Sequence, residues 1–171
     1  MLLIFLFNIT TVLWKEDFTQ GLATMSQLYD YNVNIVHEEG RVFLKANLES
    51  KHFSAAWFYV DEDFAFTEED ILELVMKVKD KEVRLRYFYK KEGESEYYSG
   101  VQIISPDAEY QKVELPFVDA KPLYGSEYPS ALTPGQKPCL YIFISGDLPG
   151  VFDVEIDYIS VTRAESHGEE R

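Results

Sequence analysis

The sequence predicts an all-β fold, a two-sheet antiparallel β-sandwich of the jelly-roll type with about ten strands. Three observations lead to it. Apolar residues occur in short runs, and in most runs they alternate with polar residues, which is the period of a strand with one buried face. Residues that favour turns separate the runs. With 171 residues, of which 46% are hydrophobic and 15% aromatic, the chain is long enough for one core and has a globular composition.

The predicted strands cover residues 11–18, 31–37, 41–48, 55–60, 71–79, 82–90, 97–104, 110–115, 139–145 and 152–162. Turn residues at 38–40, 91–94 and 145–150 predict that the strands on either side pair as antiparallel neighbours. Residues 67–70 resemble the acidic start of a helix. The apolar residues after them alternate with polar ones, however, so a strand is predicted there too.

The same alternation predicts the core between the two sheets, because side chains two residues apart in a strand share a face. The predicted core residues are Leu72, Leu74, Met76, Val78, Val83, Leu85, Val113, Leu115, Ile142, Ile144, Val154, Ile156 and Ile159.

We expect a single β-sandwich domain over residues 1–163 and a polar, frayed tail over residues 164–171. The apolar residues 1–7 leave two alternatives open, an ordered first strand or an atypical export signal without a basic segment or a cleavage site. The irregular stretch 116–137 has the length of a functional loop. Cys139 is the only cysteine, which excludes an intramolecular disulfide, and we expect it to be a small core residue.

The charge excludes several classes of partner. The chain has 30 acidic and 16 basic residues and a net charge of −14. Nucleic-acid binding requires a basic surface, and so does attraction to anionic membranes. The apolar start of the chain is far shorter than the roughly 20 residues that span a bilayer. We therefore expect no nucleic-acid partner and no membrane insertion.

Two short motifs stand near the ends of the chain. Residues 14–22 read WKEDFTQGL, and residues 154–161 read VEIDYISV. They resemble the D-F-E-x-G opening and the Y-I-D-D-V-x-V closing strand of the β-jelly-roll carbohydrate-binding modules and their galactose-binding-like relatives. The order between them, a hairpin ending in residues 41–48 and then a strand at 55–60, is similar too.

That resemblance implies a structural calcium ion where the first and last strands meet. The ligands would be Asp17, Thr19 and Asp157, whose oxygen atoms suit a hard cation. Thr19 stands where the family has Glu, and this departure removes one charged ligand. The alternative is that these residues are solvated surface groups.

Aromatic and planar polar residues alternate along three of the predicted strands. Aromatic rings suit the C–H face of a pyranose, while guanidinium and amide groups suit its hydroxyls. We expect a set of them to line one concave sheet face as a ligand site. The set is Trp57, Tyr59, Arg84, Arg86, Phe88, Tyr98 and Gln102. The alternative is that Trp57 is a core residue and that the arginines pair with surface acids.

The function predicted from these residues is a non-catalytic carbohydrate-binding module, extracellular or on the surface of a cell or particle, with no catalytic residues. Residues 155–157 resemble the centre of a glycoside hydrolase motif, but position 160 is Ser where the second Glu is needed. The residue types of a polysaccharide lyase are present without a motif, and there is no nucleophile elbow.

The alternative function is a structural or protein-interaction domain of a larger assembly, such as a virion, an appendage or a surface complex. Its partner would be another protein or a second copy of the chain. The apolar residues 1–7 favour it, because an exposed hydrophobic end strand can pair with a neighbour.

Overall fold

The computed structural model describes residues 10–20, 27–31, 33–48, 54–60, 65–91, 93–94, 96–124, 140–146 and 150–164. These residues form twelve β-strands and one short 3₁₀ helix, Phe117–Asp119. The strands are β1 Thr10–Glu16, β2 Gln27–Tyr31, β3 Asn34–Glu38, β4 Arg41–Leu48, β5 Ser54–Val60, β6 Asp70–Val78, β7 Val83–Lys90, β8 Tyr97–Ile104, β9 Gln111–Pro116, β10 Lys121–Pro122, β11 Leu140–Gly146 and β12 Gly150–Ala164. The described residues contain no helix long and apolar enough to cross a bilayer.

The strands form two six-stranded sheets. The first sheet has the order β3-β4-β12-β6-β9, and β1 also pairs with β12. The second sheet has the order β10-β8-β7-β11-β5-β2. Every strand pair is antiparallel. The predicted two-sheet antiparallel β-sandwich is therefore confirmed.

The long strand β12 organises the first sheet. Its residues 154–163 pair with β6 along one edge. Its residues 150–156 pair with β4, and its residues 159–164 pair with β1. Because β6 spans both segments, β4 and β1 share the other edge of β12. The predicted closeness of the first and last strands is confirmed by the β1–β12 pairing.

Every predicted strand is present, and β2 and β10 are additional. The run predicted as one strand at 31–37 is divided: Tyr31 ends β2 in the second sheet, and Asn34 begins β3 in the first. The prediction failed here because a period of two continues through a change of sheet. Alternation records which side of a strand is buried and says nothing about which sheet the strand joins.

Two of the three predicted hairpins are confirmed. Glu39 and Gly40 join β3 to β4 with φ values of 51° and 71°, and positive φ at both central residues is what a type I′ hairpin turn needs. A turn containing Gly93 joins β7 to β8. The third hairpin, at 145–150, is wrong: β11 lies in the second sheet and β12 in the first. That connection leads from one sheet to the other.

The predicted core is confirmed. All the apolar residues assigned to it belong to one cluster of buried residues, and the most exposed of them, Leu115, has an exposed fraction of 6%. Tyr87, Tyr89 and Phe117 extend the core. The Phe117 ring stacks on the other two at centroid distances of 5.0 Å and 4.2 Å. The Tyr87 hydroxyl donates to the Pro116 carbonyl at 2.8 Å, so these tyrosines are structural.

Several predictions fall outside the described residues. They concern the apolar residues 1–7, the part of the long loop at 125–137, Cys139 and the tail from residue 165 onwards. The part of the loop that is described contains the 3₁₀ helix and β10. The assignment of residues 1–163 to a single domain stays a prediction.

Candidate functional site

The outer face of the second sheet is the face turned away from the first sheet. Leu85 in β7 and Ile142 in β11 are fully buried in the core between the sheets. Neighbouring positions in a strand point to opposite sides, so Arg84 and Arg86 lie on the outer face. The register then assigns the other outer-face positions strand by strand.

Three rows of positions cross this face. The first contains Tyr29, Trp57, Phe143, Arg86 and Val101, from β2, β5, β11, β7 and β8. A second row contains Gln27, Tyr59, Tyr141, Phe88 and Ser99, and a third contains Tyr31, Ala55, Ser145, Arg84 and Ile103. For β2, Ala55, Trp57, Tyr59, Tyr141 and Phe143 the structure describes the backbone alone, so these residues are placed by register and not by side-chain contacts.

The rows contain aromatic positions that sequence reasoning missed. Tyr141 and Phe143 of β11 share the face with the predicted residues, and so does Tyr29 of β2. The signal was present for β11, because Tyr141 and Phe143 alternate with the core residues Ile142 and Ile144. β2 was not predicted as a strand, so Tyr29 could not be assigned to a face from the sequence.

Tyr98 and Gln102 do not lie on this face, which corrects the prediction. Tyr98 pairs with Tyr89, and Gln102 pairs with Leu85. Both partners have their side chains in the core, so these two positions belong to the inner face. Tyr98 stacks on Tyr89 at a centroid distance of 5.4 Å. The prediction failed because alternation divides the residues of β8 between two faces but does not determine which of the two lies beside Arg84 and Arg86.

Phe88 lies on the outer face, but its side chain is buried and a ligand cannot contact it there. Its exposed fraction is 1%, and its neighbours Lys90 and Tyr97 are also buried. Phe88 and Tyr97 are not part of the core cluster between the sheets. The prediction that Phe88 lines an open ligand site is therefore wrong, since alternation identifies the face of a strand but not what covers that face.

The other end of the outer face is exposed on β7 and β8, whereas Ser145 of β11 is buried there. Arg84 is exposed, Arg86 is half-buried, and Val101 and Ile103 have exposed fractions of 54% and 48%. A depression of about 350 Å³ lies at this end, and Arg84, Ile103 and Ser145 form part of its lining. The arrangement combines guanidinium donors with apolar side chains on a sheet surface.

The residues predicted to bind calcium have other partners. Asp17 accepts hydrogen bonds from the Thr19 hydroxyl at 2.7 Å and the Thr19 backbone N–H at 3.1 Å. These bonds lower the pKa of Asp17. Asp157 accepts from Arg41 Nε at 3.3 Å. Within the described residues, no three acidic, histidine or cysteine side chains converge as a metal site would require. Arg41 would have to release Asp157 for an ion to bind there, and calcium stays a prediction.

The outer face of the first sheet is a network of ion pairs. Glu155 accepts hydrogen bonds from Lys79 and from the Tyr110 hydroxyl, and Glu73 accepts them from Lys112 and from the Tyr158 hydroxyl. Burial alone would raise the pKa of each carboxyl. The hydrogen bonds from the lysine and the tyrosine outweigh burial, so the pKa of each carboxyl lies below its usual value.

No sequence-family model matches the chain, and no curated protein matches it. Several solved structures do match the chain. A family 11 carbohydrate-binding module from Clostridium thermocellum, in complex with a β-1,3-1,4-mixed-linked tetrasaccharide, matches with a TM-score of 0.60 and 15% identity over 90% of this chain and 98% of the module. The structure named BiXyn10A CBM1 matches with a TM-score of 0.55 and 13% identity over 91% of this chain and 99% of that one.

Larger proteins match as well. An agarase, AgWH50C, matches with a TM-score of 0.58 and 10% identity over 92% of this chain, and the chain spans 25% of the agarase. The chain also spans 23% of another larger protein, PfGH50B. At these identities the similarity defines the fold. The chain has the β-sandwich of the carbohydrate-binding modules.

Proposed function

We propose that the chain is a non-catalytic module that binds a glycan on the outer face of the second sheet. The observation that carries the proposal is the row formed by the positions of Tyr29, Trp57, Phe143, Arg86 and Val101. It places three aromatic positions in register with an arginine and an exposed apolar residue, across five neighbouring strands.

The chemistry of this row fits a sugar. Aromatic rings contribute apolar contact area with little loss of conformational entropy, and arginine donates several hydrogen bonds in a fixed planar geometry. The likeness to the family 11 module supports the same role, because that module is solved with a tetrasaccharide and this chain covers 98% of it. Proteins with this role act outside the cell or on its surface, and we propose that location for this chain.

Four of the described ionisable groups have pKa values that do not favour acid–base catalysis. A general acid in a glycoside hydrolase needs a raised pKa, whereas the pKa of Glu73 and that of Glu155 are lowered. A tyrosine base would need a lowered pKa. Burial together with the hydrogen bond to Glu155 raises the pKa of Tyr110 to about 12, and the hydrogen bond to Glu94 together with burial raises the pKa of Tyr98 to about 12.

A glycan array followed by affinity measurement tests the proposal. We expect the wild-type chain to bind a glycan and Trp57→Ala to weaken binding about tenfold, which corresponds to about 1.4 kcal/mol. The matched control is Phe43→Ala, which removes an aromatic ring from the outer face of the first sheet and should leave binding unchanged.

Two results would contradict the proposal. One is a wild-type chain that binds no glycan. The other is a Trp57→Ala variant that loses about 3 to 5 kcal/mol of unfolding free energy, as a buried core ring would, while glycan binding by the folded fraction stays the same.

One observation favours the alternative, a protein-interaction domain. Val101 and Ile103 are exposed side by side on the outer face of β8, and exposed apolar side chains that adjoin one another are found at protein interfaces. Light scattering after size-exclusion chromatography separates the two functions. A stable dimer that is dissociated by Val101→Asp would favour the interaction domain.

A further inference from the structure

The outer face of the first sheet contains a depression of about 380 Å³. Residues of β12 form its floor, and residues of β1, β6 and β9 form its walls. Small-molecule sites in proteins start at about 300 Å³, so the depression has room for a small ligand. It faces away from the aromatic row of the second sheet, because the outer faces of a sandwich point in opposite directions. The two places are therefore separate.

Short side chains on β12 produce the depression. Ser160 and Thr162 lie on the outer face, since the residues that alternate with them belong to the core. Ser160 pairs with Lys15 on one side and with Glu73 on the other. A short side chain between two long ones leaves an unfilled space above it. Ser160 and Thr162 are therefore outer-face residues with exposed fractions of only 3% and 8%.

Contacts between the side chains of the walls hold them in place. Lys112 contacts Glu73 and Glu114 at 2.7 Å each. The Tyr158 hydroxyl donates to Glu73, and Lys15 Nζ lies 4.6 Å from the centre of the Tyr158 ring. An ammonium has several donors and a carboxylate several acceptor sites, so these pairs leave capacity for a ligand. Groups that are already held in position lose little conformational entropy when a ligand binds.

The lining of the depression carries no excess charge. Its charged residues are Lys15, Lys112, Glu73 and Glu114, two of each sign. The ammonium groups donate hydrogen bonds, the carboxylates accept them, and the hydroxyls of the floor do both. Val12, whose exposed fraction is 57%, adds an apolar patch. A neutral ligand with many hydroxyl groups and an apolar C–H surface matches this lining.

We infer that the depression is a second saccharide site, which binds a short segment of a neutral glycan. The class of ligand rests on the proposed function, whereas the position of the site does not. We expect this site to be weaker than the aromatic row of the second sheet. Tyr158 is the one aromatic residue among the described residues that line it, and Lys15 lies over that ring, where a sugar would otherwise stack.

A nuclear magnetic resonance titration of the isotope-labelled chain tests the inference residue by residue. The probe is the β-1,3-1,4-mixed-linked tetrasaccharide with which the family 11 module is solved. We expect backbone amide signals to shift at two places, at Trp57 and Arg86 in the aromatic row and at Ser160 and Thr162 in the depression. The shifts in the depression should saturate at a concentration about tenfold higher than those in the row, because that site is the weaker one.

Variants assign the second set of shifts to the depression. Ser160→Leu fills it from the floor and should abolish the shifts there while the shifts in the aromatic row remain, and Trp57→Ala should have the reverse effect. Thr162→Val keeps the shape of the side chain and removes one hydroxyl, so it should weaken binding in the depression about threefold to tenfold. It decides the question if Ser160→Leu does not fold. The matched control is Lys45→Gln, a change at an exposed position on the same sheet that does not line the depression, and it should leave both sets of shifts unchanged.

The outcomes separate this inference from the proposed function. Shifts in the depression that stay the same in the folded variants, or no shift there at any concentration of the tetrasaccharide, would overturn the inference and leave the proposed function in place. Absence of shifts at both places, together with a glycan array without a hit, would overturn both.

Discussion

Phe88 and Arg86 show that the exposure of a residue depends on tertiary packing as well as on its position in the strand. They lie two residues apart on the same face of β7, and the Arg86 guanidinium lies 5.8 Å from the centre of the Phe88 ring. Arg86 is half-buried, whereas the exposed fraction of Phe88 is 1%. The sequence assigns both to one face. Only the packed structure distinguishes a residue at an open surface from one that is enclosed.

Phe88→Ala should therefore act on stability. We expect it to lower the free energy of unfolding by about 3 to 5 kcal/mol, because it removes a buried ring and leaves a cavity. Urea unfolding followed by tryptophan fluorescence measures the change.

The matched control is Val101→Ala, on the neighbouring strand and the same face. Its exposed fraction is 54%, so we expect a change within about 0.5 kcal/mol. A Phe88→Ala variant as stable as Val101→Ala would show that the ring is not buried in solution.

Asp70 is a second residue whose role depends on tertiary contacts. Its carboxylate is fully buried. It accepts hydrogen bonds from Arg163 Nε at 2.6 Å, Arg163 Nη2 at 3.0 Å and the Thr67 N–H at 2.8 Å. In the sequence, Asp70 belongs to an acidic stretch that resembles a helix cap. In the structure it joins the start of β6 to the end of β12.

At the scale of an element, the outer face of the first sheet couples stability to pH. The usual pKa of Glu73 and Glu155 is 4.5, and in the folded chain both lie lower. The unfolded chain therefore binds protons at a higher pH than the folded chain. The stability that these carboxylates contribute is complete above pH 4.5, and it is lost as the pH falls through their folded pKa values.

We expect the free energy of unfolding to decrease as the pH falls below 4.5, and to decrease less steeply in the double variant Glu73→Gln/Glu155→Gln. Urea unfolding at a series of pH values between neutral and acidic conditions measures both slopes. Glu109→Gln, which removes an exposed carboxylate, is the control and should keep the wild-type slope. Identical slopes in all three proteins would show that the two hydrogen-bonded carboxylates contribute nothing to the pH dependence.

At the scale of the whole molecule, most strand pairs join distant parts of the chain. Thr10 of β1 pairs with Ala164 of β12, and β12 joins β4 and β6 within one sheet. Among the described strands, only the pairs β3–β4 and β7–β8 join neighbours in sequence with a short turn between them. Such non-local pairings require the closure of long loops before their contacts form.

We expect the chain to refold in milliseconds to seconds, because domains dominated by non-local strand pairs fold on that timescale. Stopped-flow fluorescence after dilution from urea measures the rate. A single refolding phase in the microsecond range would contradict this expectation, since such rates are typical of proteins with mainly local contacts.

The sequence by itself determined ten of the twelve described strands, the two-layer class and the core. These depend on local chemistry: alternation defines the buried side of each strand, and turn residues define its ends. Leu72, Leu74 and Met76 could be assigned to the core for that reason. The basic residues of β7 and the aromatic residue of β5 could likewise be assigned to candidate faces.

Only the tertiary structure decided which strands meet. The connection at 145–150 has the residues of a hairpin, yet it joins β11 in one sheet to β12 in the other. The register between β7 and β8 assigns Tyr98 and Gln102 to the inner face, and the register between β11 and β7 pairs Phe143 with Arg86. Pairing between distant strands depends on how all the buried faces fit together, and no local run of residues encodes that fit.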